Sequence, residues 1–324
     1  MMRLLVTGGS GFIGSNFVRY MLKEHPDLDL VNLDKLTYAG NPASLKDLED
    51  DPQYTFVYGD ICDPQVVEKA MSEHECDTVV HFAAESHVDR SIHDASAFVK
   101  TNLLGTATML EAARKNGITR FIHISTDEVY GSTLEGAFVE TDRLEPSSPY
   151  SSSKAGSDLL AKAYATTYGL NVSITRCSNN YGPYQFPEKL IPLFVTNLLE
   201  GGKVPIYGTG KNVREWIYVL DHCRAIDFVL THGAKGEIYN IGSGVEKTNL
   251  AITDQILALL GKDQSSIEYV QDRPGHDFRY AINCTKLETM GWKPAYSFEE
   301  ALTATINWYR ENPWWWKPLK HPAV

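Results

Sequence analysis

Apolar positions along the chain fall into short aliphatic and β-branched runs separated by longer stretches with three-to-four-residue spacing. Residues 3–7, 28–33, 54–58, 78–82, 121–125 and 172–176 read as strands. Residues 12–24, the segment after Pro64, 95–116 and 151–168 have helical length and periodicity, with Pro64 suited to a first helical turn. Strands that alternate with helices predict a parallel sheet, and right-handed crossovers make it doubly wound.

After Gly182 the texture changes. Pro183, Pro187, Pro192, Gly201, Gly202, Pro205, Gly208 and Gly210 break the alternation and mark the start of a smaller lobe. Residues 216–219, 221–231 and 238–241 resume the strand and helix pattern, so the chain is expected to return to the first lobe before finishing in the second. The division predicted is 1–181, joined by about 216–242, against 182–215 and 243–324. No internal repeat, low-complexity stretch or long linker interrupts the chain.

A length of 324 residues with 43% hydrophobic content is enough for a sizeable core in one large domain or two closely joined ones. The formal net charge of -11 argues against general attraction to nucleic acid or an anionic membrane, so any anion site must be local. Five cysteines, Cys62, Cys76, Cys177, Cys223 and Cys284, are scattered without a CxxC pair and read as reduced thiols. With no charged-then-apolar leader and no membrane-length apolar run, the expected location is cytoplasmic. His74 with Cys76 and His222 with Cys223 lack the further ligands of a zinc site, so no metal is expected.

Directly after the first strand, Gly8, Gly11 and Gly14 form a GxxGxxG loop that opens a helix. Such a loop lets the backbone approach a pyrophosphate, whose charge the helix N-terminus favours. Asp34, about 20 residues beyond the loop, ends the second strand. A carboxylate there accepts hydrogen bonds from an adenosine ribose and repels a 2′-phosphate, which favours NAD over NADP. The first lobe therefore reads as a Rossmann domain, with Asp60 and Ile61 near the adenine and Ala83 and Ala84 passing close to the cofactor.

Tyr150 and Lys154, spaced i, i+4 at a helix start, stack on one face. An adjacent ammonium and an oxidised nicotinamide would both favour the phenolate, letting Tyr150 deprotonate an alcohol as hydride leaves its carbon. Thr126 ends the fifth strand at the carboxyl edge of the sheet, where its hydroxyl could orient the same alcohol or cap local backbone. Asp127 and Glu128 follow it. Hydride transfer alone has no use for two neighbouring carboxylates, whereas removal of a proton and a leaving group needs one protonated and one ionised.

The motifs GGSGFIGS, STDEVYG and YSSSK resemble those of the extended short-chain dehydrogenase/reductases. LDKLTYAGN, AAESHVDRSI, CSNNYGPYQFPEKLIP, VREWIYVLDHCRAI and DRPGHDFRY are similar to the dTDP-glucose 4,6-dehydratases among them, from the first strand to at least Tyr280. The resemblance implies C4 oxidation of a nucleotide-activated glucose by Tyr150 and NAD, removal of the C5 proton by Glu128, and protonation of the departing C6 hydroxyl by Asp127. Hydride then returns to C6 and a 4-keto-6-deoxy sugar results. It adds Phe12, Ile13, Lys35, Thr37, Ser86, Thr101 and Asn180 to the NAD contacts. It also implies Ser86, His87, Thr126, Asn179, Lys189, Arg214, Asn249, Arg273 and His276 as contacts of the sugar nucleotide, with Arg214 and Arg273 suited to its diphosphate.

A 4,6-dehydratase of another nucleotide-hexose, or a sugar-nucleotide 4-epimerase, remains open on the motifs, although an epimerase has no use for a leaving-group acid. The family is usually homodimeric, and the helices within 95–116 and 151–168 could pair across a two-fold axis into a four-helix interface. Trp314, Trp315 and Trp316 could anchor an interface or pack the tail on the second lobe.

Overall fold

The computed structural model describes residues 2–272 and 277–321. Its first half runs β1 (Met2–Thr7), α1 (Phe12–Glu24), β2 (Leu28–Asp34), β3 (Tyr54–Tyr58), α2 (Pro64–Glu73), β4 (Thr78–His81), α3 (Val88–His93) and α4 (Ser96–Phe98). A π-helical segment, Val99–Gly105, leads into α5 (Thr106–Lys115), followed by β5 (Arg120–Thr126), α6 (Pro149–Thr167), β6 (Val172–Cys177) and β7 (Asn179–Tyr181). The second half comprises α7 (Leu190–Leu199), β8 (Val204–Tyr207), β9 (Val213–Tyr218), α8 (Val219–His232), β10 (Ile238–Ile241), β11 (Glu246–Thr248) and α9 (Asn249–Leu260). It ends with β12 (Ile267–Val270), α10 (Thr285–Thr289), α11 (Phe298–Glu311) and α12 (Pro313–Lys320).

Seven parallel strands form the main sheet in the order β10-β6-β5-β4-β1-β2-β3. The chain winds outward from β1 in one direction through β2 and β3. It then reverses through β4, β5, β6 and β10, which leaves a crevice at the carboxyl ends of the strands where the order turns. Side-chain alternation in β1 sends Leu4 and Val6 to one face and Leu5 to the other. Phe17, Val18 and Met21 of α1 and Ile226 and Val229 of α8 cover the first face, whereas Val67 of α2, Met109 of α5 and Ala161 of α6 cover the second. The doubly wound α/β expectation is borne out.

Three details differ from the sequence reading. Residues 95–116 are not one regular α-helix, because the π-helical segment 99–105 interrupts them. The region 216–242 divides: β10 joins the main sheet beside β6, but β9 pairs with β7 and β11 in a separate three-stranded sheet. β9 therefore stays outside the main sheet, whereas α8, packed on α1, and β10, paired with β6, both return to the first lobe. Finally, the triple tryptophan does not pack on the second lobe alone. Trp315 and Trp316 are buried, and the Trp315 indole N–H donates to Ser44 Oγ at 3.1 Å, tying α12 to the segment after β2. The larger core cluster runs without a break from β1 through Trp216 to Leu302 and Trp316, so the two lobes share packing.

All five cysteines are free. Among the described residues no helix is long and apolar enough to cross a membrane.

Candidate active site

The crevice at the sheet switch point opens into a cavity whose floor is the glycine loop between β1 and α1. Gly8 has φ +72°, and a Cβ there would lie 2.7 Å from the Ala83 backbone nitrogen. At Gly14 a Cβ would stand 2.2 Å from the Gly8 carbonyl oxygen, so α1 can start against the loop only without a side chain. Asp34, at the end of β2, is buried. Its Oδ2 accepts from the Ser10 N–H at 2.9 Å and its Oδ1 from the Leu36 N–H at 2.8 Å. Burial raises its pKa, and these two backbone bonds pull the other way. Leu36 turns the chain around the carboxylate with φ +53°. The cradle of loop backbone, helix N-terminus and acidic strand end fits a dinucleotide.

The other residues expected near a cofactor gather around the same cavity. Phe12, Ile13, Lys35, Thr37, Asp60, Ile61, Ala83, Ala84, Ser86, Thr101 and Asn180 all line it. Lys35 Nζ donates to Asp60 Oδ2 at 2.7 Å, and this pair depresses the Asp60 pKa against the effect of burial. Asn180 Oδ1 meets His222 Nδ1 at 2.9 Å; burial drives the His222 pKa down to about 3, so the ring is neutral and its Nδ1–H donates.

At the far end, Thr126, Asp127, Glu128, Tyr150 and Lys154 line one wall. Local sequence fixes each of them. Ser148 and Ser151 form a reciprocal capping box with 3.0 Å bonds, and Pro149 occupies the first turn, which sets the start of α6 and the face carrying Tyr150 and Lys154. Thr126 ends β5 and caps the short 3₁₀ turn Asp127–Tyr130 by accepting from the Glu128 N–H at 3.2 Å. Its hydroxyl thus serves the local backbone and still faces the cavity.

Asp127 is buried and Glu128 half-buried. Burial, then the charges of Glu128 and Glu215, push the Asp127 pKa well above the ordinary carboxylate range. Burial thus favours the neutral form of Asp127, whereas its neighbour Glu128 is only half-buried. Lys154 is pulled down to about 8 by burial, with Asp158 and then Cys177 opposing.

Tyr150 departs from the sequence expectation. Burial, followed by the charges of Glu128 and Cys177, raises its pKa well above the usual phenol value, although a hydrogen bond with Thr126 opposes this. The Lys154 Nζ donates to the Ile124 carbonyl at 2.7 Å.

The expected sugar-nucleotide contacts are split. Ser86, Asn179 and Lys189 line the cavity, and Lys189 Nζ donates to the Ser86 carbonyl at 3.1 Å. His87 lies beside it, accepting from the Arg90 N–H at 3.4 Å and standing 3.5 Å from Glu188. Arg214 lies outside the cavity lining: its guanidinium donates to the carbonyls of Val213 and Asp277 and covers the Tyr280 ring at 4.4 Å. Asn249 begins α9 in the second lobe, its buried Oδ1 without a hydrogen-bond partner. Arg273 and His276 lie outside the described residues.

Several lining residues were not found from sequence, among them Tyr38, Glu85, Cys177, Phe186 and Glu188. Arg90 covers the Tyr38 ring at 3.7 Å and pairs with Glu188 at 3.2 Å, while Tyr38 meets Phe186 edge to face. The signal was available, since Tyr38 and Phe186 sit inside motifs already singled out.

Comparison with known proteins agrees with this geometry. The sequence profile of the family described as GDP-mannose 4,6 dehydratase matches residues 5–305. The dTDP-glucose 4,6-dehydratase of Streptomyces niveus is 52% identical over 326 residues, spanning 99% of this chain and 96% of that protein. The structure of the dTDP-glucose 4,6-dehydratase of Streptomyces venezuelae with NAD bound matches with a TM-score of 0.96 at 56% identity, covering 98% of this chain and 100% of that one. The UDP-glucose 4-epimerase of Thermus thermophilus, solved with NAD, matches with a TM-score of 0.89 at 32% identity over 96% of this chain and 100% of its own. The fold is thus common to dehydratases and epimerases, whereas the high identity lies with the dehydratases. The chain belongs to the nucleotide-sugar 4,6-dehydratase family, on the branch that holds the dTDP-glucose 4,6-dehydratases.

Proposed function

We propose that the protein converts dTDP-glucose to dTDP-4-keto-6-deoxy-glucose and water, with NAD regenerated in each turnover. The observation that carries the reading is the divided carboxylate pair, buried Asp127 beside half-buried Glu128, in the cavity that also holds Tyr150 and Lys154. High identity to dTDP-glucose 4,6-dehydratases supports the nucleotide and the reaction.

Gly8, Gly11 and Gly14 hold the cofactor's pyrophosphate, Asp34 its adenosine ribose, and Lys154 with Asn180 its nicotinamide end. NAD bound there supplies a reversible hydride acceptor between sugar C4 and C6. Tyr150, whose phenolate a bound oxidised nicotinamide would favour, then takes the proton of the C4 hydroxyl, oriented by Thr126, as C4 gives up its hydride and becomes a ketone. The ketone acidifies the C5–H bond, so Glu128 can remove that proton. Asp127, held neutral by burial, gives its proton to the departing C6 oxygen, and water leaves. Glu128 returns its proton to C5 as C6 becomes a methyl group. The proton gained by Tyr150 and the one lost by Asp127 balance over the cycle.

Ser86, His87, Asn179 and Lys189 hold the hexose and its phosphates at the cavity mouth. Arg214, Asn249, Arg273 and His276 bring the second lobe, 182–215 and 243–324, to the nucleotide. Arg214 must release a backbone carbonyl to serve a phosphate. Residues 1–181, joined by α8 and β10 from the 216–242 segment, form the NAD-binding lobe. The protein acts in the cytoplasm, which its five unpaired cysteines support, and as a homodimer through a four-helix interface. Exposed Val99 and Leu104 beside exposed Leu159 of α6 support that interface.

Nucleotide-glucoses deuterated at C4 test the reading. Label should appear at C6 of a product lighter by one water, with no net reduced cofactor and fastest with the thymidine nucleotide. A product of unchanged mass, or reduced cofactor accumulating in step with product, would sink it.

A further inference from the structure

One helical turn beyond Lys154, on the same face of α6, lies Asp158, a fully buried carboxylate outside the cavity lining. Arg176 of β6 donates through Nε to its Oδ2 at 2.9 Å. His123 of β5 places Nε2 3.4 Å from Oδ1 and bonds Ser157 Oγ at 3.0 Å. Behind His123 stands His81 of β4, with ring centroids 5.6 Å apart, itself held by Thr7 at 2.7 Å and Thr106 at 3.1 Å. Burial lowers the pKa of both histidines, so neither carries charge at neutral pH. Burial acts to raise the pKa of Asp158, but nearby His123 and the Arg176 guanidinium bonded to Oδ2 outweigh it and lower it, so Asp158 stays ionised although its Oδ1 makes no hydrogen bond.

The buried charges are thus one carboxylate against two cations, Arg176 and Lys154. Ser125 neighbours Asp158 and Cys177 neighbours Lys154, whose charge also reaches His81 and His123, and Tyr150 precedes Lys154 by one turn of α6. Lys154 bonds a neutral backbone carbonyl, which fixes its direction without offsetting its charge. An uncompensated ammonium in such a place gives up its proton.

We propose that Asp158 is a positioning residue for the reaction, the buried counter-charge that keeps the Lys154 ammonium protonated beside Tyr150. It acts through Lys154 and touches neither sugar nor cofactor. Asp158 is the first of the influences opposing the burial of Lys154. The proposal rests on Lys154 serving NAD as a cation, as read above.

NAD affinity, measured by calorimetry from neutral to alkaline pH on protein stripped of cofactor, tests it without any turnover. A failure of the dehydration chemistry therefore leaves this measurement intact. In the parent, affinity falls as Lys154 loses its proton. In Asp158→Asn that fall moves to lower pH by about one unit, and Asp158→Glu restores the parent position. Arg176→Gln removes the cation that shares the carboxylate and does not move the fall downward. If Asp158→Asn alone fails to fold, the Asp158→Asn, Arg176→Gln pair removes the Arg176 charge together with its partner and shows the same downward displacement. An unchanged pH profile in a folded Asp158→Asn or paired variant overturns the proposal. So does an equal downward shift in Arg176→Gln, which would report a loosened core rather than a lost counter-charge.

Discussion

The Thr126 hydroxyl lies 3.2 Å from Oδ1 of Asp127, while Oδ2 of the same buried carboxyl has no hydrogen-bond partner in the protein. An ionised carboxylate would leave that oxygen unsolvated, whereas a protonated one can turn it toward an acceptor in the cavity, such as a departing hydroxyl. Asp127→Asn keeps the shape and removes the transferable proton. Oxidation at C4 should continue while water loss slows by about 10²-fold or more, so enzyme-bound reduced cofactor accumulates in single-turnover absorbance. Tyr150→Phe should stop earlier, with no reduced cofactor formed. If Asp127→Asn releases deoxy sugar at the parent rate, the leaving-group acid lies elsewhere.

The same carboxyl makes stability depend on pH with a definite sign. Its folded pKa is raised above its unfolded value, so the favourable contribution of the neutral form is complete below the unfolded pKa and is lost as pH rises through the folded one. Asparagine has no such proton to lose. The melting temperature of Asp127→Asn relative to the parent should therefore climb as pH rises from acid to alkaline, with little difference at the acid end. A gap independent of pH would mean that Asp127 is charged in the folded protein.

The fold was largely legible because each element carries its own signal. Strand runs, the Gly8–Gly11–Gly14 loop and the Ser148-to-Ser151 helix start are local, and their positions along β1, β5 and α6 determine where the cavity wall stands. Two things were not legible. The π-helical segment at 99–105 depends on packing against α6, where Leu103 abuts Gly156, and no local spacing announces it. The direction of the Lys154 ammonium depends on the Ile124 carbonyl, thirty positions away in the chain. An i, i+4 spacing places two side chains on one face, but it does not say which polar group each will meet. Arg214 shows the same gap: its type suits a phosphate, yet the carbonyls of Val213 and Asp277 occupy it.

Asp34 tests the cofactor preference. Its carboxylate already accepts from Ser10 and Leu36 and keeps lone pairs for ribose hydroxyls. Asp34→Asn weakens both sets of bonds and removes the repulsion of a 2′-phosphate. NAD affinity should drop by about tenfold, the equivalent of one charge-assisted hydrogen bond, and the preference over NADP should narrow. Calorimetric titration with each cofactor decides it; an unchanged ratio would place ribose recognition on another residue.

The proposed homodimer depends on apolar side chains that one chain leaves uncovered. Leu104 in the π-helical segment is 54% exposed and Leu159 of α6 is 60% exposed, on neighbouring helical elements. In a monomer, a charge at such exposed sites changes stability by only about 0.5 kcal/mol. In a four-helix interface the two-fold axis duplicates every substitution, and each new carboxylate would be buried against apolar surface at a cost of several kcal/mol. Leu104→Glu with Leu159→Glu should therefore turn dimer into monomer at micromolar concentration, weakening association by roughly 100-fold or more, while the melting profile of the isolated chain stays close to that of a parent diluted to monomer. Sedimentation velocity over a dilution series gives the answer. A variant that sediments as the parent dimer would move the interface to another face of the fold.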